Sequence, residues 1–271
     1  ATPFCKRILE VYEDPEASYA FLDKEIKNYK ELKDLLKSAS DYMFVTKVDS
    51  TNYQDFISRL QVTIGQICEA VFKLPMCRDL PVFVRIKLNY LIWNALSTKC
   101  HFKLLMAYHN AYNEQNLVAQ KNARRYELVK NDRIEIAVQL LKNILHLPTP
   151  GDCVMSLMNF FDAVVKSFDG KDVAADDILP AICLAMSHDT SFGSHCVSFL
   201  TYLAEIWPQV GLEEKASYVL VTCSIAATHL GMPMADPSPE ETMTKEPEAP
   251  PKRELTEEEI HVTGDTIDML N

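Results

Sequence analysis

The chain has 271 residues, of which 48% are hydrophobic and only seven are glycine. This length allows one large or two small domains with a buried core. The scarcity of glycine disfavours sandwiches and barrels, which need many turn residues, so the composition predicts an all-α protein.

The formal net charge of −11 is concentrated at one end of the chain. Residues 232–271 hold eleven acidic and three basic residues, so they carry −8 and leave about −3 for the rest. Such a body has no excess positive field, and we expect no direct binding to nucleic acid or anionic lipid. Recruitment to a membrane is therefore expected to pass through other proteins.

The cysteine pattern is typical of reduced core residues. Eight cysteines are spread over apolar stretches with no Cys-x-x-Cys pair, and the sequence has no Asn-x-Ser/Thr sequon and no signal peptide. These observations favour a cytosolic compartment. The uncharged stretch from Ala216 to Ala235 is interrupted by polar residues and ended by Gly231 and Pro233, so no transmembrane segment is predicted.

Apolar spacing predicts helices along most of the chain. Asp14 followed by Pro15 is an N-cap signal for a first helix that runs through Leu36, and Ser38 to Thr51 is predicted as a loop. Further helices are predicted from spacings of three, four and seven over 52–74, 80–97, 102–120, 132–147, 152–168, 177–187, 193–206 and 212–230.

The chain from Met232 onward is predicted to be an acidic, disordered tail, because its Pro, Glu and Thr content cannot bury enough apolar surface. Its end is an exception. Thr256 to Glu259 forms a capping box before an apolar edge, so a terminal helix that docks on the body or on a partner is the alternative.

Two adjacent carboxylates precede a buried helix in the run Ala175-Asp176-Asp177-Ile178-Leu179-Pro180. If Asp177 is the N-cap, Pro180 falls at the third helical position, where a missing N–H has no cost. Asp176 is then expected to stay ionised and to point outward, favoured by the helix dipole. Ordinary capping is the competing interpretation of the pair.

A second apolar helix begins at Glu213-Glu214-Lys215-Ala216-Ser217-Tyr218. Tyr218 is followed at offsets of three, four and seven by Val221, Thr222 and Ile225, so the four residues share one helix face. A tyrosine buried in the core with a satisfied hydroxyl is the alternative for Tyr218.

These two segments resemble the Vps-nine (vacuolar protein sorting nine) domain, a helical guanine-nucleotide exchange module for Rab GTPases of the Rab-five class. The family's Ala-Asp-Asp/Glu-x-x-Pro motif is matched in full by Ala175 to Pro180. Its Gly-Tyr-x-x-Thr motif is matched in part, because Tyr218 is kept while Ser217 replaces the glycine and Val221 the threonine.

The resemblance implies roles for these residues. Asp176 is the candidate acidic finger that competes with the nucleotide phosphates, and Tyr218 acts with it. Contact with the switch regions of the GTPase is assigned to Asp177, Ile178, Pro180, Val221, Thr222 and Ile225. The implied activity is exchange-factor activity in endocytosis and vesicle trafficking, in the cytoplasm at early endosomes.

The resemblance also predicts an organisation in which a helical bundle, residues 1–95, packs on a layered Vps-nine-like domain, residues 96–231, before the tail, residues 232–271. A helical scaffold or adaptor that has lost exchange activity is the alternative function. No Gly-rich phosphate loop or other cofactor motif occurs, so no cofactor is expected. A metal site at Cys183, His188, His195 and Cys196 is disfavoured, because the spacing is not that of a zinc module.

Overall fold

The computed structural model describes residues 2–126, 132–168, 175–207 and 214–233, and every regular element in these ranges is a helix. The all-α prediction is confirmed. The α-helices in these ranges are α1 (Pro3–Val11), α2 (Pro15–Glu25), α3 (Lys30–Val45), α4 (Tyr53–Phe72), α5 (Val82–Ser97), α6 (His101–Ala111), α7 (Asn113–Tyr126), α8 (Glu135–Leu141), α9 (Pro150–Lys166), α10 (Ala175–His188), α11 (Thr190–Gly193), α12 (Cys196–Ile206) and α13 (Glu214–Leu230).

The N-terminal helices differ most from the prediction. Asp14 caps α2 as predicted, since its carboxylate accepts from the amides of Glu16 and Ala17. The helix ends at Glu25, however, and α3 starts only at Lys30, so the single helix to Leu36 is wrong. The predicted loop from Ser38 is also wrong, because buried Met43 continues the apolar spacing of α3 to Val45. The prediction missed α1, although Thr2 and Pro3 form its N-cap and first residue.

In the middle of the chain the predicted helices at 52–74 and 80–97 are confirmed as α4 and α5. The predicted helix at 102–120 is two helices, which meet at Tyr112. Residues 132–147 form only the short α8 between two 3-10 turns. The helix predicted over 193–206 is α12, which begins at Cys196, after the single turn of α11 has ended at Gly193. Periodicity alone did not locate these breaks, since the apolar spacing continues across them.

The buried residues up to Pro233 form one continuous hydrophobic core. Long-range bonds cross it, such as that from the indole Nε1 of Trp93 on α5 to the carbonyl oxygen of Ile206 on α12, 2.9 Å away. The predicted boundary at 95/96 falls inside α5 and stays a prediction. The predicted tail lies outside the described residues, apart from Met232 and Pro233.

All eight cysteines are free thiols, and all except the half-buried Cys68 are buried. Among the helices that the structure describes, none combines the length and the apolar character needed to cross a membrane.

Candidate functional site on helices α10 and α13

The last described helix, α13, forms an antiparallel pair with α12. The indole N–H of Trp207, just after α12, donates to the hydroxyl of Ser217, 3.2 Å away. Further along, the hydroxyl of Ser224 donates to the carbonyl oxygen of Leu200 at 3.3 Å. Helices α7, α9 and α10 pack around the same helix. One side of α13 is thereby fixed against the core and the other faces outward.

The outward side carries Tyr218, Val221 and Ile225, which we call the α13 stripe. Their exposed fractions are 52%, 56% and 52%, which is unusual for three large apolar side chains one turn apart. The shared face predicted from the spacing is therefore on the surface. Thr222 is only half-buried beside it, and its hydroxyl donates to the carbonyl oxygen of Tyr218 at 2.8 Å. That hydroxyl is already bonded within the helix.

Helix α9 borders the N-terminal end of the stripe. The ring of buried Phe161 stands edge-on to that of Tyr218, with 5.7 Å between centroids. Next to this contact, Lys215 forms a 2.8 Å ion pair with Asp162. Both ions are more than 40% exposed, so the pair adds little stability. The aromatic contact holds the Tyr218 ring against α9, and about half of the side chain stays exposed.

Helix α10 is the neighbour of α13 that carries the two aspartates. The thiol of Cys183 donates to the carbonyl oxygen of Ala226 on α13 at 3.7 Å. Asp177 and Pro180 are exposed, whereas Ile178 is 9% exposed and belongs to the core. Ile178 therefore does not join the surface to which it was assigned. The side chain of Asp176 lies outside the described residues.

The start of α10 differs from the predicted one. The helix begins at Ala175, so Asp177 is its third residue rather than its N-cap, and Pro180 is its sixth residue rather than its third. At the sixth position a proline removes one hydrogen bond of the helix, the one that an N–H there would donate to the carbonyl of Asp176. The acidic residues still occupy the first turn, where the helix dipole favours negative charge.

Other reactive side chains are held in structural roles. Burial raises the pKa of the Cys153 thiol to about 12, and burial lowers the pKa of the neighbouring His101 imidazole to about 4. A thiol in this state is not a nucleophile at neutral pH. Within the described part of the chain, no three His, Cys, Asp or Glu side chains are grouped to hold a metal ion.

Sequence reasoning missed one pair of polar residues near the surface. His109 on α6 and His195 before α12 stack with 4.7 Å between ring centroids. They are far apart in sequence, and neither lies in a recognisable motif, so only the tertiary fold reveals the pair.

Comparisons with protein-family models, with curated proteins and with solved structures find no match. The interpretation of the site therefore depends on its residues and their arrangement.

Proposed function

We propose that the chain binds a small GTPase of the Rab class and promotes release of its GDP, with the α13 stripe as the contact surface. The observation that carries the proposal is the exposure of Tyr218, Val221 and Ile225 on a helix packed against α10. That neighbour begins with Ala175, Asp176 and Asp177, and the resemblance to the Vps-nine motif assigns the acidic part of the site to these two aspartates. The proposal extends to a Vps-nine-like layered domain over residues 96–231, acting in the cytoplasm at early endosomes.

The energetic demand of exchange supports an apolar contact surface. Each tenfold loss of nucleotide affinity takes about 1.4 kcal/mol, so acceleration by three decades takes about 4 kcal/mol. One exposed ion pair contributes only about 0–1 kcal/mol. Covering the exposed halves of the three stripe residues contributes on the order of 1 kcal/mol each. In this proposal the carboxylate of Asp176 competes with the nucleotide phosphates, so that part of the binding free energy is used to weaken nucleotide binding.

A helical scaffold without exchange activity is the second candidate, and two observations favour it. Val221 provides no hydroxyl where the family motif has threonine. Ser217, at the family's glycine position, accepts the hydrogen bond of Trp207 and so has a structural role here. A scaffold would use the same stripe but would not distinguish the nucleotide states of a GTPase.

The test is release of a fluorescent GDP analogue from a panel of Rab-class GTPases. Val221→Glu places a charge in the stripe and is expected to abolish stimulation. Val62→Glu is the matched control, because Val62 is 61% exposed on α4 and lies outside the stripe. Asp176→Ala is expected to slow release while leaving binding measurable.

The outcomes separate the two candidates. An exchange factor binds the nucleotide-free GTPase more tightly than the GDP form, by thermodynamic linkage. Equal affinity for both forms, with binding lost in Val221→Glu, identifies a scaffold. If no GTPase of the panel binds, or if Val221→Glu behaves like Val62→Glu, the proposed contact surface is wrong.

A further inference from the structure

The stacked imidazoles of His109 and His195 connect the end of α6 to the start of α12. Their rings are nearly parallel, at 23°, and both are half-buried. His109 lies near the end of α6, and His195 immediately precedes α12. Asn116 connects α7 to the start of α12 beside this pair. Its Oδ1 accepts from the amide of Ser198 at 3.2 Å, and its Nδ2 donates to the Ser198 hydroxyl at 2.9 Å.

The hydrogen bonds fix the proton positions on both rings. Since Oδ1 of Asn116 accepts from an amide, the amide orientation is set and Nδ2 faces Nδ1 of His109 at 3.4 Å. Nδ1 of His109 is therefore the acceptor, and its proton is on Nε2. Nδ1 of His195 lies 2.9 Å from the carbonyl oxygen of Ser191, which only accepts, so this nitrogen carries the proton.

The two rings consequently differ in how they take up acid. A proton on Nε2 of His195 leaves its bond to Ser191 intact. A proton on Nδ1 of His109 meets the N–H of Asn116, and also the charge of His195 if that ring is already protonated. Burial and His195 both lower the pKa of His109. The groups that bond to the two rings are the amide of Asn116 on α7, the carbonyl of Ser191 in α11 and the hydroxyl of Ser194 directly after α11, and these groups are uncharged.

We propose that His109 and His195 form an acid-sensitive latch between the α6–α7 corner and the start of α12. The latch is closed while His109 is neutral, and it opens when both rings carry a proton. Opening separates two like charges and breaks the bonds from Asn116 to Ser198, so the first turn of α12 loses its support. This inference does not depend on the proposed GTPase.

The experiment measures hydrogen exchange of the Ser198 amide by NMR at pH 7.5 and 5.5, corrected for the intrinsic exchange rate and referenced to the Leu60 amide in α4. A screened repulsion of this kind shifts an opening equilibrium about three- to tenfold, so protection of Ser198 is expected to fall by that factor. The fall is expected to disappear in His109→Gln and His195→Gln. The control His229→Gln, on the exposed end of α13, is expected to keep it.

Ring titrations provide a second measurement that does not need a histidine variant to fold. In the wild type, protection of Ser198 is expected to fall together with protonation of the His109 ring. If both rings become protonated while Ser198 stays protected, the latch is wrong. A fall of equal size in the two glutamine variants, folded by circular dichroism at pH 7.5, overturns it as well.

Discussion

The Nδ1 atom of His101 lies 2.7 Å from the hydroxyl of Tyr202, and both side chains are almost fully buried. The other ring nitrogen, Nε2, lies 3.1 Å from the carbonyl oxygen of Leu147. A carbonyl only accepts, so Nε2 donates to Leu147, and the tyrosine hydroxyl donates to Nδ1. One neutral histidine thus connects α6, α12 and the chain that enters α9.

Tyr202→Phe is expected to destabilise the protein by about 1–3 kcal/mol, because it leaves a buried ring nitrogen without its donor. Urea unfolding at pH 7.5 measures the effect. Tyr218→Phe is the matched control, since the ring of Tyr218 is half-exposed, and a change below about 0.5 kcal/mol is expected there. Equal effects of the two substitutions would contradict the assigned role of the buried bond.

Stability is expected to fall with acid because of His101. Burial lowers the pKa of this ring to about 4, below the ordinary 6.5, so the unfolded chain takes up a proton at a pH where the folded one does not. The contribution of neutral His101 to the free energy of unfolding is therefore fully present above pH 6.5 and decreases by about 2 kcal/mol by pH 5. The measurement is the free energy of unfolding of wild type and of His101→Gln, each above pH 6.5 and at pH 5. The substitution is expected to remove this part of the pH dependence.

Gly151→Ala is expected to destabilise the contact between α9 and α5 by about 1–3 kcal/mol. A Cβ atom at this position would overlap the hydroxyl oxygen of Tyr90 and would lie 3.0 Å from Oδ1 of Asn94. Adding Tyr90→Phe removes the closest atom and should recover part of the loss in a double-mutant cycle.

Gly65→Ala is the matched control for that substitution. Nothing lies within 4 Å of a Cβ at Gly65, in the middle of α4. A gain of about 0.5–1 kcal/mol is expected there, because alanine favours the helix more than glycine does. Similar losses at both glycines would argue against the close approach at Gly151.

Pro180→Ala is expected to raise stability by about 1–3 kcal/mol and to weaken GTPase binding. The substitution restores an N–H in the interior of α10, where proline is unfavourable. Pro75→Ala, at the start of a 3-10 turn, restores an N–H that has no helical partner, and no gain is expected. A gain in stability with binding unchanged would remove Pro180 from the contact surface.

Val221→Thr is expected to increase GDP release by up to about tenfold, which corresponds to one recovered hydrogen bond to the GTPase. The position is 56% exposed, so little change in stability is expected. The measurement is the release rate at equal GTPase and protein concentrations. An unchanged rate would show that the missing hydroxyl does not limit exchange and would favour the scaffold.

Repeated apolar spacing accounts for the elements that the sequence predicts well. The helix predicted over 52–74 is close to α4 because its buried residues recur on one face without interruption. The break between α6 and α7 at Tyr112 has no such signal, since both helices are amphipathic on either side of it. Partners such as His101 and Tyr202, 101 residues apart, depend on the tertiary fold, which the sequence pattern does not contain.

For the candidate site, the sequence predicts which residues share a face but not whether that face is exposed. Tyr218, Val221 and Ile225 have the same character as the core residues of α13, so periodicity alone does not separate the two sides. The packing of α12 and α9 decides which side is covered. The same limitation explains Ile178, whose spacing is compatible with either side of α10.

The two tryptophans of the chain, Trp93 and Trp207, stand edge to face with 5.1 Å between ring centroids. All indole emission therefore originates at one junction, where α5 meets the end of α12. Intrinsic fluorescence will follow unfolding of this junction. Because the indole N–H of Trp207 donates to the hydroxyl of Ser217, directly before Tyr218, one of the two fluorophores also lies beside the start of the α13 stripe. The emission of the unlabelled protein therefore reports on the integrity of the core and on the surroundings of that end of the stripe together.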